Sequence, residues 1–589
     1  VSECLQNAKD SRRVSESHAA AVEFYRPRNE KMEANTNVLR NRLYTADELK
    51  AYEEQHRQPV SINKALAPFR TVIGTIMQSG FDSSFLPFDE SDEPLAEILQ
   101  KLAVFESERN DDFNQNSQMC QAAYVMGRSY RLHWVEQGFG KQPKIKSKVL
   151  NPYAVYFDPD SIDVVARADA EFVDVVHWLS YNEIVRAFPE SAAKISHADK
   201  KERNFLDEYE RYDKSTNRKH EDLDELNGKY KVVERYYRVC RNTPGAPPRE
   251  ELWLAVWAPG LLTDDSFLYN GIYHVQPADP DSGKIIFPVA ELVSDNLLGE
   301  SDGFVEFLKD PIKIVSVLFT QMLEAAKHSG TGYEMDPTAY ATPEEAERAK
   351  KYGAYSNQRY EMKEGHAGRG MAPIQGLAVP QPNMAAMQNA TAFIDELSSA
   401  PKALQGISEN SSTPAALNAQ RIEQASTQLS IFLNHYKQYL RHTLKLRYAY
   451  WRESYTEQMT FRITSPEGGS ERMTVNELVP ETGWDGMPTG EVRKINDISA
   501  AEFDIVISDS YRSPTYRAKM SAVISELLKN PAIAQNPNMA MLLVGELFNL
   551  SDISHETKEK LKQMEAQTQQ QQMAQPPQTE QMQQMQGAA

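Results

Sequence analysis

Asp302-Gly303-Phe304-Val305-Glu306-Phe307-Leu308-Lys309-Asp310-Pro311-Ile312-Lys313-Ile314-Val315-Ser316-Val317-Leu318-Phe319-Thr320-Gln321-Met322-Leu323-Glu324-Ala325-Ala326-Lys327-His328 is an apolar run with helical spacing. Asp310-Pro311 reads as a cap and first-turn proline inside it. Gly330-Thr331-Gly332 ends the run, and a small unit follows to about residue 382. Within that unit, Thr342-Pro343-Glu344-Glu345 combines a cap, a first-turn proline and a capping-box glutamate. Asn383 reads as the cap of a second helix to about Ser399. Two helices around a small polar unit predict a stalk with a tip rather than a globular domain. A helix of about 25 residues is roughly 37 Å long.

Upstream, the first 80 residues read as helical, with a capping box at Thr45-Ala46-Asp47-Glu48 and an apolar helix over 64 to 77. Pro94 to Trp134 continues the helical pattern, and Gly127 interrupts it as a point where something packs closely. The character changes near residue 148. Val149 to Pro159, Glu171 to Trp178, Tyr230 to Val239, Leu252 to Trp257 and Tyr269 to Val275 read as strands of an antiparallel sheet built of hairpins. Ser180-Tyr181-Asn182-Glu183 caps a short helix that Pro189 ends, and residues 191 to 230 carry nineteen charges in forty positions, a solvated insertion.

Downstream of Pro401 lies a small-residue loop, Gly406 to Pro414, whose Thr413-Pro414 can start the longest helix of the chain, about 414 to 456. Its stripe is Ile422, Ala425, Leu429, Leu433, Tyr436, Leu440 and Leu444. Such an element would exceed ~60 Å, so it calls for long neighbouring helices or other subunits. Strands return at Thr460 to Ile463 and Phe503 to Ile507, and helices are predicted over 514 to 530, 538 to 550 and 555 to 566. The last 24 residues hold eleven glutamines and two prolines, a composition without a packed core.

The chain has 589 residues, 83 acidic against 64 basic side chains, and a net charge of −19. That balance argues against a protein that wraps or grips nucleic acid, but not against one past which DNA slides. Cys4, Cys120 and Cys240 are too sparse for a disulfide framework or a Cys-rich zinc motif. The longest apolar runs, such as Met539 to Gly545, are less than half a membrane span, and Val1-Ser2-Glu3-Cys4 opens no signal-peptide core. A soluble chain without a membrane partner is expected. Gly138-Phe139-Gly140-Lys141 lacks the spacing and hydroxyl of a phosphate loop, and Asp158, Asp160 and Asp163 lack the spacing of an ion loop. The histidines are scattered. His435 and His442 share a helix face without an adjacent acid. No catalytic constellation and no cofactor site emerges, so an enzyme is not expected. One local reversal of charge occurs between Lys350 and Gly370, where Lys350, Lys351, Arg359, Lys363 and Arg369 face only Glu361 and Glu364, interleaved with Tyr352, Tyr355 and Tyr360.

The order of these elements closely resembles the portal proteins of tailed bacteriophages, of the short-tailed type. The stretches that carry the resemblance are Gln58 to Asn63, Val149 to Asp160, Trp178 to Pro189, Asp302 to Pro311, Leu404 to Ser408 with Ser411-Ser412-Thr413, and Phe503 to Ile507. The resemblance implies a mixed α+β portal fold, with helical stem and crown and a β-containing wing and clip, assembled as a ring with an axial channel. It places an N-terminal helical region and wing over 1–300, a first stem helix over 301–329, a clip over 330–382 and a second stem helix over 383–400. A tunnel loop would follow over 401–415, the long wing helix and wing strands over 416–513, a crown over 514–566 and a flexible tail over 567–589.

The function it implies is genome packaging, retention and ejection at one capsid vertex, through a DNA channel of twelve copies. Expected partners are the major capsid protein and scaffold, the terminase large subunit during packaging, a tail adaptor afterwards, and the passing double-stranded DNA. The expected location is the virion vertex, after assembly in the host cytoplasm. Lys402, Ser408, Asn410, Ser411, Ser412 and Thr413 become channel candidates, the five cations at 350 to 369 clip docking candidates, and Leu429, Leu433, Tyr436, Leu440 and Leu444 assembly candidates. The competing expectation is an oligomeric adaptor or collar of a phage tail.

Overall fold

Side-chain caps start four of the helices, at Thr45, Asn63, Ser180 and Thr342. A computed structural model describes residues 11–79, 81–87, 93–137, 142–191, 229–241, 249–258, 267–328, 333–352, 359–366, 370–373, 381–398, 429–464, 470–482, 488–498 and 503–509, with scattered positions between 520 and 543. The fold is mixed α+β. The N-terminal helices are α1 (Ser11–Leu39), α2 (Ala46–Glu54) and α3 (Leu66–Ser79). The capping box forms as expected: Glu48 N–H donates to Thr45 Oγ1 at 3.3 Å and Thr45 N–H to Glu48 Oε2 at 2.9 Å.

Strand β1 (Phe81–Pro87) and helices α4 (Glu93–Arg109) and α5 (Asp112–Met126) follow. The helical expectation to Trp134 is corrected here. Gly127, at φ +84°, closes α5 with its N–H donated to Ala123 O, and the chain turns directly into strand β2 (Arg128–Glu136).

The larger sheet is an antiparallel meander, β4 (Val155–Phe157), β5 (Phe172–Ser180), β6 (Lys229–Arg241), β7 (Arg249–Trp257) and β8 (Tyr269–Ile272), as the hairpin pattern predicted. Helix α6 (Tyr181–Ala187) starts at the Ser180 capping box. A second sheet has the order β3 (Lys144–Leu150), β2, β9 (Val289–Val293). β1 was not foreseen as a strand. It pairs antiparallel with the last described strand, so that Phe81 faces Asp509 and Pro87 faces Phe503, and no local signal encodes a partner so distant in sequence.

After the second sheet come α7 (Phe304–His328), β10 (Tyr333–Met335), α8 (Pro343–Tyr352), β11 (Met371–Pro373), α9 (Gln381–Leu397) and α10 (Ser430–Ser454). Hairpins β12 (Met459–Thr464) with β13 (Ser470–Val475) and β14 (Glu477–Thr482) with β15 (Pro488–Ile495) precede β16 (Phe503–Asp509).

α10 joins two cores. Its first half places Leu429, Phe432, Tyr436 and Tyr439 in a core with α3, α5, α7 and α9. Its second half places Leu444, Leu446, Tyr448, Tyr450 and Trp451 in a core with α4 and both larger sheets. The expected helix of 414 to 456 is described from Ser430 only, and residues 414 to 428 lie outside the described residues. In the described part, Leu429, Tyr436 and Leu444 are buried within the chain, and Leu433 and Leu440 are half-buried against the first of these cores.

Three buried carboxylates fix how these layers meet. Asp112 of α5 accepts from Arg447 Nη1 at 2.6 Å and Nη2 at 2.8 Å, and from Arg131 of β2. Arg131 also donates to Ser147 Oγ at 2.7 Å, Asn116 Oδ1 at 3.1 Å and the Tyr439 hydroxyl at 3.3 Å. Glu291 of β9 accepts from Arg167 Nε at 2.7 Å and Arg128 Nη1 at 3.0 Å. Asp174 accepts from Arg235 Nε at 2.6 Å and lies 2.9 Å from His18 Nδ1 of α1. Burial pushes the Asp112 carboxyl up, but Arg447 and Arg131 outweigh it and hold the group at about 2.

Replacing Asp112 by Asn leaves two buried guanidinium groups short of charge. At neutral pH this is expected to lower stability by roughly 3–5 kcal/mol. Because the folded value is depressed below 3.8, the stabilisation is present above pH ~4 and is lost as pH falls toward ~2. Denaturant unfolding of both proteins across that range checks it: the gap between wild type and Asp112→Asn should narrow on acidification.

Candidate functional site

The stalk predicted from sequence is present as α7 packed along α9, with Asn383 Nδ2 donating to Gln321 Oε1 at 3.2 Å. Two local expectations are corrected. Pro311 lies inside α7, not at a first turn, because the helix already begins at Phe304 and Val305, Leu308, Ile312 and Val315 are buried on both sides of the proline. That burial offsets the missing backbone donor. Asn383 is the third residue of α9 and not its cap.

At 3.6 residues per turn the side chains of α7 fall into three rows about 120° apart. Val305, Leu308, Ile312 and Val315 face the chain's own core. Lys313, Ser316, Thr320 and Glu324 meet a strap from the N-terminal region. The Val60 N–H donates to Thr320 Oγ1 at 3.0 Å and the Ile62 N–H to Ser316 Oγ at 3.1 Å, while Lys313 pairs with Glu48 and Arg57 with Glu324, each at 2.5 Å. The hydrogen bond from Lys313 holds the Glu48 carboxyl below its ordinary range. The third row contains Phe307 and Ile314, 52% and 51% exposed. On α9, Phe393 is 57% exposed, and Met384 and Leu397 are also open.

The root of α7 is a close crossing of backbones. A side chain on Gly303 would run into the Val125 carbonyl, and one on Gly127 into the Ser301 carbonyl. Ser301 Oγ donates to Gly127 O at 2.8 Å, the Ser294 N–H donates to the same oxygen at 2.9 Å, and the Tyr124 and Phe304 rings stack at 4.9 Å. What packs at Gly127, as its sequence position suggested, is the segment that leads into α7. Lys31 ties this segment to α1 through Asp302 at 3.1 Å, and the hydrogen bond raises its ammonium above the ordinary lysine value. Gln58–Asn63 and Asp302–Pro311 carry part of the resemblance, but the strap's hold on α7 and the close approach at Gly303 have no local motif that announces them.

The tip is a small unit with its own core of Tyr340, Ala346 and Ala349, against which Met335, Tyr360 and Met362 pack. β10 and β11 pair to close it, Tyr340 donates to Gly370 O at 3.2 Å, and the Glu345 N–H donates to Thr342 Oγ1 at 3.3 Å at the start of α8. Lys350, Lys351, Arg359 and Lys363 are all exposed, and Arg369 lies outside the described residues. Lys350 and Lys351 occupy the last turn of α8, opposite Glu344 and Glu345 in its first turn, an arrangement that also suits the helix dipole. Tyr360 turns inward against Tyr340 and not toward the cations.

Lys402, Ser408, Asn410, Ser411, Ser412 and Thr413 lie outside the described residues, as does nearly all of 514–589. Among the described residues no group of His, Cys, Asp or Glu could hold a metal ion, and no helix is long and apolar enough to cross a membrane.

Gly303→Ala is expected to lower stability by roughly 1–3 kcal/mol, since its neighbour is backbone and cannot step aside. Gly74→Ala in α3 is the control: its added methyl meets nothing within 4 Å, and helix propensity should raise stability by up to ~1 kcal/mol. Thermal unfolding of the two variants separates the outcomes. Equal behaviour would remove the crossing as a constraint.

No curated protein matches the sequence. The family model described as phage P22-like portal protein matches residues 16–589, which decides against a tail collar. Portal proteins are structural and non-catalytic. The chain therefore belongs to the phage P22-like portal protein family, and it serves DNA packaging and ejection at a capsid vertex.

Proposed function

We propose that the chain works as a ring of twelve copies around an axial channel for double-stranded DNA, with α7 and α9 as its stem. The observation that carries this reading is the third row of α7. Two rows are covered within the chain, whereas Phe307 and Ile314 stay open, as does Phe393 of α9. Large apolar groups in one row suit a heterologous contact repeated around a ring. The net charge of −19 suits passage, because an acidic wall does not pair with phosphates. In this reading Lys402, Ser408, Asn410, Ser411, Ser412 and Thr413 face the DNA from the tunnel loop. The clip docks the terminase large subunit and later a tail adaptor, and the wing meets the major capsid protein and scaffold.

Phe307→Asp and Phe393→Asp should abolish most ring formation while the protomer stays folded, because both side chains are exposed in the single chain. Native mass measurement and end-on electron micrographs decide this. Rings at wild-type abundance would dispose of the stem interface.

Glu at Lys351, Arg359 and Lys363 should leave rings intact and weaken terminase capture several-fold at low salt, with the difference shrinking as salt screens the contact. A pull-down over a salt series is the measurement. Wild-type capture by the variant ring would free the clip cations of a docking role.

A further inference from the structure

β3 is the outer strand of its sheet and carries lysine at every second position, Lys144, Lys146 and Lys148. A strand alternates its side chains, so the three project from one face while Ile145 and Ser147 project from the other. Lys144 and Lys148 are exposed and Lys146 is half-buried. Across the ladder they stand opposite Glu136, Trp134 and Leu132, so one carboxylate shares the row with three ammonium groups. No described carboxylate forms an ion pair with any of the three. In a chain of net charge −19 this is a concentrated positive strip.

Lysine on an edge strand often blunts an open row of backbone groups. Here two carbonyls of that row are already occupied, Asn110 Nδ2 donating to Ile145 O at 3.2 Å and Gln115 Nε2 to Ser147 O at 3.3 Å, so protection of the edge is not left to the lysines alone.

We propose that Lys144, Lys146 and Lys148 form a strip that binds the phosphate backbone of double-stranded DNA, apart from the tunnel loop. Alternate strand positions are about 6.8 Å apart, twice the ~3.4 Å axial spacing of charges along one DNA strand. Lysine is a compact point charge on a flexible stem, suited to a regular row of phosphates. The proposal rests on the family's DNA-handling role and not on the ring or the tunnel loop, so it can fail while those stand.

The test is binding of a short blunt DNA duplex to the full-length protein, followed by fluorescence anisotropy over a salt series. Lys144→Gln, Lys146→Gln and Lys148→Gln together should weaken binding by about tenfold or more at low salt. They should also reduce the slope of log affinity against log salt by about 2 to 3, at ~0.9 per phosphate. The triple Lys→Arg variant should bind as wild type. Equal affinity and slope in the Gln variant would overturn the proposal and leave the lysines as a solvated edge. So would unchanged duplex binding with lost binding of poly-glutamate, which would point to an acidic protein partner. Glu136→Lys, at an exposed position, gives an independent arm should the Gln variant fold poorly: it should steepen the slope by up to ~0.9, and no change overturns the strip.

Discussion

Where α5 ends, the Gly127 backbone lies against Ser301 to Gly303, and neither glycine has room for a side chain. The angle at which α7 leaves α5 and the second sheet is set at this crossing. The positive φ of Gly127 stops α5 and sends the chain into β2, while Gly303 lets α7 begin against the same turn. The carbonyl of Gly127 accepts from both Ser294 and Ser301, so the last strand of the second sheet and the segment entering the stem hang on one oxygen. A hinge at this place would need slack, and the packing provides none.

Behind the crossing, the buried carboxylates settle which faces meet. Apolar packing alone would tolerate α10 in more than one rotation, since aromatic side chains point from several of its faces. Asp112 admits one arrangement, because Arg447 of α10 and Arg131 of β2 must both reach it. The pair gains little net stability over an apolar alternative of similar shape, but breaking it is costly, which is the physics of a specificity device. Glu291 acts similarly between β2, β9 and the loop at Arg167.

The sequence declared those features that close over a few residues. Thr45 with Glu48 and Ser180 with Glu183 are capping boxes in both readings, and the larger sheet was legible because each strand pairs with the next in sequence order, even where α6 and a long insertion separate β5 from β6. The β1 and β16 pairing was not legible, as its partners are separated by most of the chain. The stripe of α10 shows a different limit. Periodicity at Leu433, Tyr436 and Leu440 announced an apolar face, but not whether its cover comes from the same chain. Conversely, Pro311 follows an acid and resembles a helix start, yet buried neighbours on both sides carry the helix through it. At the candidate site, the helix pair and the cations of the unit between its helices were readable. The strap was not, because its hold on Ser316 and Thr320 uses backbone amides, which every sequence supplies.

The strap also bears on assembly. A helix projecting from a domain with one covered row could tilt, and a repeated contact between tilting helices would close into rings of varying number or fail to close. α7 has two covered rows: an apolar one toward the core and a polar one held by strap amides and by the pairs Lys313 with Glu48 and Arg57 with Glu324. These half-exposed pairs are individually weak. Their value lies in position, since they reach along the stem away from the glycine crossing, where leverage on its direction is greatest. With the crossing fixing the base and the strap fixing the flank, the open row at Phe307 and Ile314 is presented in one direction. In the proposed ring, closure follows from a fixed direction together with a sticky face, and the chain's own contacts supply the first before any neighbour supplies the second.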